Sequence, residues 1–584
     1  MTAYFFFRDD NHDQRRATTA LCALLHQILV HLGPKSMRKA VDVFKSHGPQ
    51  LTESFTVLWD LLLEVCEETE ACQVVCVIDA LDECEGVGRE LLIDCLNAFS
   101  TSARPCTAES NTGCLKFFVT SRPYDDIQHR FDRRIVRLAG EEETELVRQE
   151  IDLVIRYRVP KVASQLNLDA NTQCILQQRL LDADNRTYLW LHLILEDILK
   201  RSVRVQTPKK LERFMNELPT SIYEAYDHML QRSPDPEAAR KLLHIVLAAV
   251  RPLTLREMNM ALNIEDGQES REDVDLDPED DFAAHLRNIC GLFVFISGVD
   301  SKIYLIHQTA KEFLVDARTT DQDSNSDSPA SSMWKHTMDP GVSHRTLAQV
   351  CINYLSFSTF ETEPFRSESE KEDGHLYRSI PLGPRYTRYL KTHEFLDYAA
   401  KYWAFHFRHA RISNGLITGW ALICKPSTAR FDTWFQIHYF HLLLSNVYNR
   451  VPYDPQLPSL VLASMLGHPV IVEEEASKLG PETREIHGRK SLWWAAMNCH
   501  ESVVRKLLEK GLGSASALQI ALHEHGESIH PLIEYGARAD PADREGPTRL
   551  LGGVRRPLAE SKPILNLLTA HGAKIDRITE LLVS

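Results

Sequence analysis

The stretch Val74-Val75-Cys76-Val77-Ile78-Asp79-Ala80-Leu81-Asp82-Glu83-Cys84 decides how the chain is read. Five apolar residues in a row are too few for a helix and are bounded by acids, so they predict a strand buried on both faces, as in a parallel sheet. Three carboxylates, Asp79, Asp82 and Glu83, follow within five residues. An acid at the carboxyl end of such a strand stands where open α/β sheets bind ligands, and Asp is the usual residue there for holding the Mg²⁺ of a nucleotide. Taken alone, the segment is equally well a core strand whose acidic exit loop caps the next helix. Its neighbours must decide.

Upstream, Ala3 to Phe7 is a short aromatic strand with the exit loop Arg8-Asp9-Asp10-Asn11. Leu21, Leu24, Leu25, Ile28, Leu29 and Leu32 then recur at helical spacing until Gly33-Pro34 breaks the helix. Val57, Leu58, Leu61, Leu62 and Val65 mark a second helix leading into the acidic strand. Downstream, a helix through Leu91, Leu92 and Leu96 precedes Lys116-Phe117-Phe118-Val119-Thr120-Ser121-Arg122-Pro123, a buried strand ending in an arginine, and one more strand at Ile135 to Leu138. Strands alternating with helices predict a parallel α/β sheet over residues 1–140.

On these residues the segment resembles the NACHT-type P-loop NTPase domain of NLR-like signalling proteins, the STAND class, in its fungal forms. Tyr4-Phe5-Phe6-Phe7 corresponds to the family's second strand, Ile78 to Cys84 to Walker B, and Thr120-Ser121-Arg122-Pro123 to the sensor strand. The resemblance implies that Asp79 holds Mg²⁺, that Asp82 and Glu83 position or activate the attacking water, and that Arg122 reads the γ-phosphate. One departure weighs against these roles. The family's first strand and its GxxxxGK[ST] loop should precede Tyr4, and none of the 25 glycines is followed by Lys. That loop supplies the N–H cradle and the lysine for the β- and γ-phosphates. The expectation is therefore a partial NTPase domain, either lacking its start, which is preferred, or degenerate. No cofactor is expected for the chain as given; Mg²⁺ with ATP/ADP or GTP is expected only if the loop is supplied.

Residues 141–235 read as helical, with Tyr188 to Leu195 apolar nearly all round and so central. Residues 236–318 read as a winged helix: three helices, then Leu292 to Ile296 paired with Lys302 to Ile306 as a hairpin. His307, in Leu305-Ile306-His307-Gln308-Thr309, matches the family's winged-helix histidine, which the resemblance places against the nucleotide's phosphates. A lone histidine at a strand end is otherwise a capping or solvent residue. Residues 319–345, rich in Ser, Asp and Thr, predict a disordered linker. A helical, aromatic connector follows over 346–455.

Residues 456–584 show internal repetition. Ser491-Leu492-Trp493-Trp494-Ala495-Ala496, followed by Glu501 to Gly511, resembles an ankyrin repeat, and the anchor leucines Leu460, Leu492, Leu518 and Leu550 stand 32, 26 and 32 residues apart. About four short or degenerate units can share a continuous core and bind protein partners on a concave face. The fold class expected is thus multidomain, α/β plus α: a partial P-loop NTPase sheet, a helical domain, a winged helix and an ankyrin-like α-solenoid.

Bulk properties narrow the function. The 584 residues carry a net charge of −15, which opposes a general nucleic-acid or anionic-membrane binder. Thirteen cysteines with no CxxC pair and no signal peptide indicate reduced thiols in a cytoplasmic protein. No GxSxG, HExxH or zinc-spaced set appears. The leading expectation is a non-catalytic NLR-like signalling or scaffold protein that binds protein partners through its repeats, with oligomerisation left open. The alternatives are an ATP- or GTP-dependent switch whose Walker A loop lies in a missing N-terminal segment, and a winged-helix DNA-binding regulator, which the acidic insert Glu265 to Asp281 disfavours.

Overall fold

The computed structural model describes residues 1–512 except 10, 12, 68–72, 103–114, 123, 132–143, 167, 184–186, 203–218, 220, 299, 316–332, 366–383, 445–456 and 499. The expected strand at Ile135 to Leu138 and the repeat anchors Leu518 and Leu550 lie outside the described residues. The chain divides into two compact units, Met1–Leu255 with Pro278–Asp339, and Arg256–Asp277 with Pro340 onward.

The first unit begins with β1 (Thr2–Phe6), α1 (Ala17–Leu32), α2 (Pro34–His47), α3 (Phe55–Glu67), β2 (Val74–Asp79), α4 (Gly86–Ser102), β3 (Leu115–Val119) and α5 (Asp125–Arg130). The three strands form a parallel sheet in the order β1-β2-β3, with Phe5 opposite Ile78 and Ile78 opposite Val119. Both connections step across the sheet in the same direction, and right-handed crossovers then place their helices on one face. That face buries Ala3, Phe5, Cys76 and Ile78 against Leu24 and Ile28 of α1, Leu58 and Leu62 of α3, and Leu92 of α4. Trp59 stacks on Phe117 at 5.4 Å.

The opposite face is bare, which corrects the expectation of strands buried on both sides. Tyr4, Phe6 and Phe118 are 53%, 49% and 52% exposed, and in β2 only Val74, Cys76 and Ile78 are buried. β3 has no fully buried residue. The reason is topological: no described connection runs back across the sheet, so no described helix is directed to that side. The free edge of β1 is closed by one side chain, since Gln27 accepts from Tyr4 N–H at 3.2 Å and donates to Tyr4 C=O at 2.8 Å.

The unit continues through α6 (Thr144–Gln165), α7 (Ala170–Leu181), α8 (Tyr188–Ser202), α9 (Ile222–Gln231) and α10 (Pro236–Ala248). Asp169, Ser221 and Asp235 cap the helices that follow them, each accepting from a backbone N–H three residues on. α8 buries Trp190, Leu191, Leu193, Ile194, Leu195 and Ile198, and Trp190 Nε1 donates to Pro219 C=O at 3.1 Å. α11 (Leu255–Asn263) falls in the second unit from Arg256 on; the first unit resumes with α12 (Glu279–Cys290), β4 (Val294–Ile296), β5 (Ile303–Leu305) and α13 (Gln308–Leu314), and β4 and β5 pair antiparallel.

The disordered linker expected over 319–345 is corrected from residue 333 on. Trp334 is fully buried, with the Arg240 guanidinium 4.7 Å over its ring, and His336 and Met338 N–H groups bond to the carbonyls of Phe313 and Leu314. One large aromatic anchor orders a polar segment that composition alone reads as coil.

The second unit contains α14 (Pro340–Leu355), α15 (Pro384–Thr392), α16 (Leu396–His409), α17 (Asn414–Ile423) and α18 (Ala429–Leu444). Its core is aromatic, with Trp403 fully buried and 5.6 Å and 5.1 Å from the rings of Trp420 and Trp434. Buried and half-buried histidines thread this core, His406, His438 and His468 buried and His344 partly so. His344 and His406 meet through their Nδ1 atoms at 3.0 Å, and His406 Nε2 lies 2.9 Å from the Tyr398 hydroxyl. Two helix pairs follow, α19 (Ser459–Leu466) with α20 (Pro469–Lys478) and α21 (Pro481–Met497) with α22 (Glu501–Glu509). α19 packs on α21 and α20 on α22. The pairs repeat at 32 residues, Leu460 to Leu492 and His468 to His500, and Asn498 and His500 reach back to the Met465 carbonyl at 3.1 Å each.

Candidate functional site

The site lies at the carboxyl edge of the sheet, where parallel strands leave their ligand-binding loops. β2 ends at Asp79, and Ala80 takes a left-handed conformation, φ 56°, before the tight turn through Leu81, Asp82 and Glu83. A non-glycine residue with positive φ is strained, so the turn is held by its surroundings. Thr120, just past β3, supplies that hold: its Oγ1 donates to Asp79 Oδ1 at 2.5 Å and accepts from Ala80 N–H at 3.0 Å. Leu81 N–H bonds to Thr120 C=O at 2.9 Å.

The other acids are engaged too. Asp82 Oδ1 accepts from Arg122 N–H at 3.1 Å, its Oδ2 stands 3.6 Å from Arg122 Nε, and its side chain is only 6% exposed. Glu83 accepts from Asp9 N–H at 3.1 Å. Asp9, in the exit loop of β1, receives Gln308 Nε2 at 3.1 Å and pairs with Lys311, both residues of α13. Arg122 in turn pairs with Glu312 of the same helix. Burial works against the Arg122 charge, but the Tyr124 hydroxyl and the Glu312 carboxylate outweigh it and hold its pKa above the ordinary value.

His307 stands immediately before α13 and caps it, Nδ1 accepting from Thr309 N–H at 3.2 Å. With Nδ1 as acceptor, the ring proton sits on Nε2. Burial lowers its pKa, and the nearby Arg122 lowers it further against the opposing Glu312, so the ring is neutral at physiological pH. Thr309 Oγ1 lies 3.0 Å from the Tyr226 hydroxyl, which ties the cap to α9.

All five residues nominated from the sequence, Asp79, Asp82, Glu83, Arg122 and His307, thus stand in one region. Four partners were missed there: Asp9, Thr120, Lys311 and Glu312. The chain placed them next to nominated positions, Thr120 two residues before Arg122 and Lys311 four after His307, yet no local pattern pairs residues some 300 positions apart, as Asp9 and Lys311 are.

A cavity of about 240 Å³ opens among these groups. Its charged lining is Asp9, Asp82, Glu83 and Glu85 against Arg15 and Lys311, four carboxylates to two cations. That balance repels a polyphosphate. Two basic groups here are engaged by acids, Lys311 by Asp9 and Arg122 by Asp82 and Glu312, while the buried Nε of Arg15 has no hydrogen-bond partner among the described residues. Among the described residues no group of three or more His, Cys, Asp or Glu is arranged to hold a metal ion. The arrangement is an interlocked set of ion pairs between the sheet's exit loops and α13.

Comparison with known proteins agrees with the ancestry of these parts. Residues 1–122 match the family described as Nephrocystin 3, N-terminal; residues 226–327 match the GPI inositol-deacylase winged helix domain; and residues 147–206 match a domain of unknown function, DUF7069. The vegetative incompatibility protein HET-E-1 of Podospora anserina is 25% identical over 321 residues, which are 54% of this chain and 22% of that protein. The match therefore spans about a fifth of that relative's length. No solved structure gives a significant match. The chain is thus similar to that fungal protein over about half of its own length, and its described residues are mostly helical, with a small parallel sheet and an antiparallel strand pair inside the segment that matches the winged-helix model. No helix among the described residues is long and apolar enough to cross a membrane.

Proposed function

We propose that this fungal NLR-like protein of NACHT type acts as described without nucleotide chemistry, as a signalling or scaffold component whose NTPase-derived sheet is held shut by its own side chains. The observation that carries this reading is the pairing of Arg122 with Asp82 and Glu312 and of Lys311 with Asp9, which engages two of the cations a γ-phosphate would use. In this reading Asp79 no longer holds a metal ion. It fixes Thr120 and, through Thr120, the strained turn at Ala80. The 32-residue helix pairs are ankyrin-like repeats, and their exposed side is the surface for protein partners. Isothermal titration with Mg²⁺ and ATP or ADP tests the proposal. No saturable heat is expected; micromolar binding that disappears in Asp79→Ala would refute it.

One observation favours a second reading. The face bearing the exposed Tyr4, Phe6 and Phe118 is where a connection running back across the sheet would lay its helix, and among the described residues no strand pairs the outer edge of β3. A strand–loop–helix segment carrying a Walker A loop would fill both places and supply the missing phosphate cradle. The protein would then be a nucleotide-dependent switch, with α13 as the element released when a γ-phosphate displaces Glu312 from Arg122. Saturable ATP binding gained when such a segment is present, and lost in Arg122→Ala, would establish this reading over the first.

A further inference from the structure

α2 carries two apolar stripes. Ala40 and Val43 pack inward against the core of the sheet domain, while Met37, Val41 and Phe44, at i, i+4 and i+7, are 39%, 43% and 48% exposed. A helix needs only the first stripe to dock on its own domain; the second stands exposed and packs on no described part of the core. Arg38 and Lys45 flank the second stripe on its solvent side at helical spacing, and both are exposed. The whole segment Pro34–His47 holds Lys35, Arg38, Lys39 and Lys45 against Asp42, a net charge of +3 in a chain of −15.

We propose that α2 is a reversible docking element for an anionic lipid surface. A partner must offer acid and apolar surface together. The chain's own strongest acidic stretch, Glu265 to Asp281, holds ten acids and one base but exposes no large hydrophobic side chain, so a second copy meets only half of that requirement. A leaflet rich in acidic headgroups meets both, with Arg38 and Lys45 among the headgroups and the three apolar side chains at the acyl boundary. The acidity of the whole chain, which disfavours membrane binding by its surface at large, acts only weakly on α2, because charges farther than about 8 Å are screened at physiological ionic strength. One such helix gives weak binding that salt reverses.

Sedimentation of the intact chain with phosphatidylcholine vesicles, with and without about one-third phosphatidylserine, tests the proposal. The unaltered chain is expected to partition onto the anionic vesicles only. The double variant Arg38→Gln/Lys45→Gln should bind about thirtyfold more weakly, at roughly tenfold per 1.4 kcal/mol and about 1 kcal/mol per basic residue. Val41→Asp should abolish partition, and both variants should keep the thermal transition of the unaltered chain because the substituted side chains are exposed. Absence of partition, equal partition onto neutral vesicles, or indifference to these substitutions overturns the proposal. So does lipid-free self-association that the same variants abolish, which would give the stripe to a second copy.

Discussion

At the carboxyl edge of the sheet, charged side chains meet where water still reaches them, Arg122 at 30% and Glu312 at 34% side-chain exposure. In the core of the second unit, uncharged histidines are packed among tryptophans and tyrosines with almost no access to water. The two regions solve the same problem, fixing helices that are distant in sequence, with interactions of opposite character. Ion pairs of the first kind contribute little each and weaken in salt. The second kind contributes much, and only while its imidazoles stay neutral.

The widest separation between the regions should come with acid. Burial, reinforced by His441, lowers the pKa of His438 to about 4, and burial with His409 lowers His344 to about 4; fully buried His406 and His468 are lowered as well, again by burial. Unfolded, these rings take up protons near pH 6.5; folded, they resist. The second unit is therefore most stable above about pH 6.5 and loses stability as the pH falls toward 4, on the order of 3 kcal/mol from His438 alone. Urea unfolding followed by tryptophan fluorescence from pH 8 to pH 4 measures this, since Trp403, Trp420, Trp434, Trp493 and Trp494 all lie in that unit. A flat profile would break the comparison.

Next in size is Trp403→Ala. The residue is fully buried and touches Phe407, Trp420, Trp434 and His468. Its removal should cost about 3–5 kcal/mol. Trp403→Phe should cost much less, because the indole N–H it deletes has no hydrogen-bond partner in the fold. The pair of urea midpoints separates lost packing from a lost polar contact.

The smallest effect is expected at the sheet edge. Glu312→Gln with Lys311→Met should lower stability of the first unit by about 1 kcal/mol, and the difference from the unaltered chain should shrink as salt is added. Hydrogen exchange at α13 is the direct readout, with faster exchange in the double variant. A loss of several kcal/mol, insensitive to salt, would place these pairs with the buried histidines instead.

The sequence read alone located the parts better than their partners. The run Val74 to Ile78 and the leucines of α1 carry their structure in local periodicity, and the family resemblance brought Asp79, Asp82, Glu83, Arg122 and His307 to one region. What it could not convey is which surface is covered. Val74 and Val75 are alike as residues, yet one is buried and the other partly open, because burial depends on a helix delivered by a connection elsewhere in the chain. The same limit hid Trp334, one aromatic beside a run of Ser and Asp, and the pairing of Asp9 with Lys311, which only the folded chain brings together.

The amide of Gln27 closes one side of the sheet by offering Tyr4 a donor and an acceptor in place of a neighbouring strand. Exposed edges are where sheets recruit foreign strands and begin to aggregate. With β1 stoppered at its middle residue, a strand arriving at that edge must first displace Gln27.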